Sequence, residues 1–209
     1  MSVSDTNDPN WFFRLDELDL LEFAYQSVVN KQHTDKDHRA TEEKVLAEQE
    51  ALEVRSEAEL EAVLGDAPFG GDCPLHHHGE EASIEDLLIS GVRENPLTAR
   101  AYRFFRALAA IVEQVDAPDC YEALFRLKAN APLIPAKLCF AAIELEHHDS
   151  SSVLIAKKEM EVAMIYLRQL LLSLETLRLE EVLTAEQAEA FLDEGEGLLV
   201  AIEKEHQHV

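Results

Sequence analysis

The chain has 209 residues, with 42 acidic against 18 basic side chains, a formal net charge of −24 and a hydrophobic fraction of 47%. That length fits one domain, or one domain with an appendage, and the hydrophobic share can fill a sizeable core. A negative field of this size repels phosphate, so nucleic acid and anionic membrane are poor direct partners and a basic protein partner fits better.

The start, "MSVSDTNDPN", lacks the basic stretch and apolar run of a secretory signal. Asp8 as cap and Pro9 at the first helical position predict a helix over residues 10–30, with Trp11, Leu15, Leu18 and Tyr25 along one row. A polar segment leads into a second helix, which Gly65 ends. Residues 35–66 carry 11 acids and 4 bases, and the apolar stripe is thin: Leu46, Leu52, Leu60, Val63 and Leu64. Such a helix is mostly solvated and reads as an arm or a covering layer. The stretch "FGGDCPLHHHGEE" then holds three of the seven glycines, Cys73, and His76, His77 and His78. Zinc sites commonly use two separated ligand pairs. No second cysteine pair follows here, so residues 66–82 read as a connecting loop.

Ser83 and Asp86 resemble a capping box for "SIEDLLISGV". Asn95 and Pro96 open a helix whose face is Ala101, Phe104, Phe105, Leu108, Ile111, Val112 and Val115. Pro118 opens the next, and Pro132 and Pro135 the one after. That segment is apolar nearly all round, which predicts a central position, and "APLIPAKLCF" is the one place where a strand competes. The longest helix follows Asp149, with Met160, Ala163, Leu167, Leu170, Leu174 and Leu177 in line. Thr184 and Gln187 cap the last. No hairpin turn or alternating β-branched run is present. The expectation is an all-α fold: an acidic helical pair over residues 1–65, a Gly/His-rich loop over 66–82, and a helical bundle over 83–209 whose last three helices are antiparallel neighbours. No segment reads as a membrane span, and three scattered cysteines (Cys73, Cys120, Cys139) suggest reduced thiols and a cytoplasmic setting.

The chain has no phosphate-cradling glycine loop, no Gly-x-Ser-x-Gly and no Cys-x-x-Cys. Two motifs place a carboxylate and an imidazole one helical turn apart, Glu144-x-x-His147 and Glu203-x-x-His206. This pairing resembles the ferritin-like, carboxylate-bridged di-iron helical bundles. The resemblance rests on about eight residues, and here the motifs lie near helix ends where that family has them in mid-helix. It implies a site of Glu144, His147, Glu159, Glu203 and His206 taking iron, manganese or zinc. The other reading is that these are solvated helix ends, where histidine suits the dipole. With 29 glutamates and nine histidines such spacings recur, as Glu205 and His208 show. One basic stripe, Arg100, Arg103 and Arg106, either neutralises the protein's own acids or meets an external ligand. The acidic helix, through Glu57, Glu59 and Glu61, either covers that stripe or faces a basic partner. The leading expectation is a non-catalytic acidic helical interaction protein (adaptor, inhibitor or accessory subunit) that uses no cofactor. The alternative is a metal-binding carboxylate/histidine bundle.

Overall fold

The computed structural model describes residues 36–64 and 95–209. The predicted helix over 10–30, the loop over 66–82 with its cysteine and histidines, and the short helix after Ser83 lie outside the described residues. Within them all regular structure is helical: α1 (Lys36–Leu64), α2 (Pro96–Val112), a 3-10 turn (Pro118–Cys120), α3 (Tyr121–Asn130), α4 (Leu133–Glu146), α5 (Ser150–Leu179) and α6 (Ala185–His208). The segment that competed for a strand is the start of α4.

The caps follow from side-chain chemistry. Asn95 Oδ1 accepts from the Leu97 and Thr98 backbone N–H groups at 2.9 and 3.0 Å, and Pro96 removes a donor that no carbonyl would meet. Asp149 accepts from the Ser151 and Ser152 N–H groups at 2.8 and 2.9 Å, which holds its carboxyl below the usual range. Thr184 and Gln187 form a reciprocal capping box. Both ends of α5 are turned through left-handed backbone on residues with a Cβ, His148 at φ 56° and Glu181 at φ 57°.

α5 is the axis of the molecule. Its 30 residues span about 45 Å. Met160, Ala163, Leu167, Leu170, Leu174 and Leu177 are all buried along one line. α4 and α6 lie on either side of it as antiparallel neighbours, α2 packs across α4 and α6, and α3 and α1 cover the remaining side. α2 buries Ala101, Phe104, Phe105, Leu108 and Val112 on the face its period predicts. Each fully buried leucine of this core contributes about 1.5–3 kcal/mol relative to exposure. α6 comes close because Gly195 has no side chain: a Cβ there would stand 2.6 Å from Leu171 Cδ2 and 3.4 Å from Phe104 Cζ. The expectation that α4 is central needs revision. α4 packs on α2 and α5, touches α3 and meets α1 through Lys137, but it leaves Phe140 46% exposed, and the centre belongs to α5, whose apolar line is longer. No described helix is long and apolar enough to cross a membrane.

Candidate functional site at the acidic helix

α1 is a covering layer with an unusual inner face. Its buried residues are Glu42, Val45, Gln49, Leu52 and Ser56, in alternating steps of three and four. That is the spacing of a seam between two helices, yet three of its five members are polar. The apolar stripe read from sequence is out of phase with it: Leu52 is buried, but Val63 is 68% exposed. α1 rests on α3 and α5. It runs parallel to α3, pairing Lys44 with Glu122 at 2.7 Å and Glu48 with Arg126. It then runs antiparallel to α5, pairing Glu53 with Tyr166 at 2.7 Å and Glu59 with Lys158. Gln49 Nε2 donates to Asn130 Oδ1 at 2.6 Å, and Asn130 Nδ2 donates on to Gln169 Oε1 at 2.9 Å. This amide relay ties α1, α3 and α5 in one register.

Two carboxylates sit in this seam with incomplete solvation. Glu42 is 1% exposed. Its Oε1 accepts from the Tyr121 hydroxyl, while its Oε2 meets no donor among the described residues. Tyr121 is also stacked on His38, ring centroids 3.8 Å apart. Burial and the bond to Glu42 push the phenol well above its usual range. The second is Glu159. Lys137 Nζ lies 3.1 Å from its Oε2 but directs its hydrogen bond to Glu53 Oε2 at 2.8 Å, so the near contact with Glu159 is an ion pair without a well-aimed hydrogen bond. Burial raises the Glu159 pKa and Lys137 only partly offsets it, with Glu53 and Glu144 adding like charge. Burial alone would lower the Lys137 pKa, but Glu159 and Glu53 outweigh it and the ammonium is held charged.

The outward face of α1 is different. Glu43, Glu50, Glu57 and Glu61 fall on one exposed row, opposite the seam, with Val54 between them. Arg39 pairs with Glu43 at 2.8 Å. Of the three carboxylates expected to face a partner, Glu57 and Glu61 are on or beside this row. Glu59 is turned toward the bundle, where Lys158 holds its carboxyl below the usual range.

The basic stripe is not covered by α1, as one branch of the expectation had it, because the cations that α1 meets are Arg126, Lys137 and Lys158. Arg100 instead clamps α2 to α6, donating to Glu194 at 2.8 Å and to the Gly197 carbonyl at 3.0 Å. This raises the guanidinium pKa and lowers that of Glu194. Gly197 leaves room for this guanidinium, since a Cβ there would stand 2.7 Å from Arg100 Nη2. Arg103 lies near the same Glu194, lining with Arg100, Phe104 and Phe191 an open cleft of about 400 Å³. Among the described residues Arg106 makes only a long 3.4 Å contact to the Tyr102 hydroxyl.

The residues of the metal expectation come to one end of the bundle without forming one centre. The α5–α6 register sets Glu203 against Arg168 at 2.8 Å and His206 Nε2 3.4 Å from Glu161 Oε1. Glu159 faces Lys137, with Glu144 nearby. His147 is the C-cap of α4 and is exposed. A protein cation thus stands against Glu159 and another against Glu203. Among the described residues no group of three or more His, Cys, Asp or Glu side chains is arranged to hold a metal ion.

Sequence reasoning missed Arg126, Lys137 and Lys158 as the cations that receive α1. The available signal was the repeat of seven in Glu42, Gln49 and Ser56 with Val45 and Leu52, hidden because its alternate members are polar. Comparison of the chain with protein-family models, with curated proteins and with solved structures finds no match.

Proposed function

We propose that this is a non-catalytic acidic helical interaction protein, an adaptor, inhibitor or accessory subunit, and that the outward row of α1 is its contact for a basic protein partner. The observation that carries this reading is the division of labour on α1. Glu48, Glu53 and Glu59 hold the helix to the bundle, whereas Glu50, Glu57 and Glu61 are exposed and no described residue pairs with them. A helix held rigidly by one set of carboxylates presents the other at fixed intervals, which favours electrostatic recognition over non-specific attraction. Charge of this kind speeds association and sets salt dependence. The test is to identify a protein retained by the purified chain, then measure its affinity for wild type and for Glu50→Lys/Glu57→Lys/Glu61→Lys. The triple variant is expected to bind at least tenfold more weakly, with a flatter salt dependence. Equal affinity and an unchanged salt slope would refute the reading.

A further inference from the structure

α5 carries an apolar row that no described element covers. Ile165, Leu172 and Leu179 recur every seven residues along it. Ile165 is half-buried, while Leu172 and Leu179 are 70% and 66% exposed. An interval of seven returns to one line of a helix and is the repeat by which helices meet side by side. The row borders a cleft of about 390 Å³ between α3 and α5, whose walls include Glu122, Ala123, Arg126, Leu172 and Thr176.

The register of α1 says which part of the chain reaches this row. α1 runs antiparallel to α5, with Glu53 on Tyr166 and Glu59 on Lys158, and its Lys44 pairs with Glu122 at the cleft. Lys36 lies about 26 Å back along α1 from Glu53, and Leu179 about 20 Å along α5 from Tyr166, so α1 starts beside the end of α5. Five residues, 31–35, join Lys36 to the helix that the sequence predicts over 10–30. A link of that length returns the chain as an antiparallel neighbour of α1, and so parallel to α5. Counting back from the turn brings Tyr25 to Leu179, Leu18 to Leu172 and Trp11 to Ile165, and these three also recur every seven residues. The chain between Leu64 and Asn95 leaves α1 at the other end of α5.

We infer that the row Ile165, Leu172 and Leu179 is the docking surface for the chain's own N-terminal segment, residues 10–30, laid on it as an amphipathic helix in that register. The two rows match in spacing and in length, about 21 Å each. They match in chemistry, since Trp11, Leu18 and Tyr25 meet isoleucine and leucine. Glu22, which interrupts the row, falls opposite Thr176, where Arg126 lines the cleft.

Trp11 is the only tryptophan of the chain, so its fluorescence reads the docking in the full-length protein. In the wild type its emission is expected to be blue-shifted, and its quenching by acrylamide severalfold weaker than in the urea-unfolded chain. Leu172→Glu/Leu179→Glu is expected to bring quenching to the unfolded level. Val63→Glu on α1, at a site 68% exposed, is expected to leave Trp11 shielded. The segment leaves before the bundle opens, so the row is already exposed when the bundle unfolds, and the loss is read at Trp11 and not in urea unfolding of the bundle. Leu172→Ala/Leu179→Ala, which adds no charge, decides the matter if the glutamates unfold the bundle: it is expected to raise the quenching part of the way. Trp11 as quenchable in the folded wild type as in urea would overturn the inference, and so would shielding that both pairs of substitutions leave intact. Shielding that disappears on dilution, with a fall in molar mass by light scattering, would overturn it as well, because the occupant would then come from a second copy.

Discussion

Replacing Lys137 by methionine removes the one cation that stands against Glu159 among the described residues. Methionine keeps the length of the side chain and leaves Glu159 as a carboxylate whose side chain is 21% exposed, facing Glu53 without a counter-charge. Breaking a buried pair by deleting one partner destabilises by about 3–5 kcal/mol. Glu53 is a third exposed, which points to the lower end, so about 3 kcal/mol is expected at neutral pH. For a chain of this size that lowers the thermal midpoint by about 6–12 °C. The sign of the pH dependence follows from Glu159. Its folded pKa lies above its ordinary value, so the native state binds a proton more tightly than the unfolded chain does. The desolvation penalty is full above that raised pKa and is relieved as pH falls through it. Without Lys137 the pKa rises further, so the loss is largest at neutral pH and shrinks in mild acid. Urea unfolding followed by circular dichroism at several pH values reads both effects. Lys137→Met/Glu159→Gln is expected to recover most of the loss. A loss under about 1 kcal/mol at neutral pH, or one that grows in acid, would refute the reasoning.

Leu167→Ala, at a fully buried position on the α5 line, is expected to cost about 2–5 kcal/mol, while Leu172→Ala on the outer face, 70% exposed, stays within about 0.5 kcal/mol. Equal losses in urea unfolding would contradict the assigned faces of α5. Thr184→Ala removes the capping box of α6 and should cost about 1 kcal/mol by the same measurement, with no loss counting against the cap. Gly197→Ala displaces the Arg100 guanidinium. The lost clamp is worth about 0–1 kcal/mol and the gain in helix propensity about 1 kcal/mol, so stability changes little, whereas a loss above about 2 kcal/mol would show that the backbone itself is forced apart.

The bundle was legible because its information is local. Asn95, Asp149 and Thr184 announce helix starts by their own chemistry, and the rows Ala101 to Val112 and Met160 to Leu177 repeat at the helical period. What covers the bundle was not legible in the same way. The inner face of α1 has glutamate, glutamine and serine where a hydrophobicity pattern looks for leucine, and its partners are cations 78 to 99 residues away in the chain. The Glu-x-x-His motifs show the converse. Their spacing was read correctly and α5 and α6 bring Glu203 and His206 toward Arg168 and Glu161, but spacing along one helix says nothing of a lysine or arginine arriving from the next.

The position of α5 also bears on how the chain finds its fold. Three residues join α4 to α5 and five join α5 to α6, so the largest contacts form between sequence neighbours, and closing such short loops loses little chain entropy. A topology dominated by local contacts folds fast, and its rate-limiting ensemble centres on the hairpins that need no distant strand or helix. α1, whose partners lie 78 to 99 residues away, is expected to join after the surface it covers has formed. Stopped-flow measurements are then expected to show core substitutions along α5 slowing folding and substitutions in the polar seam speeding unfolding.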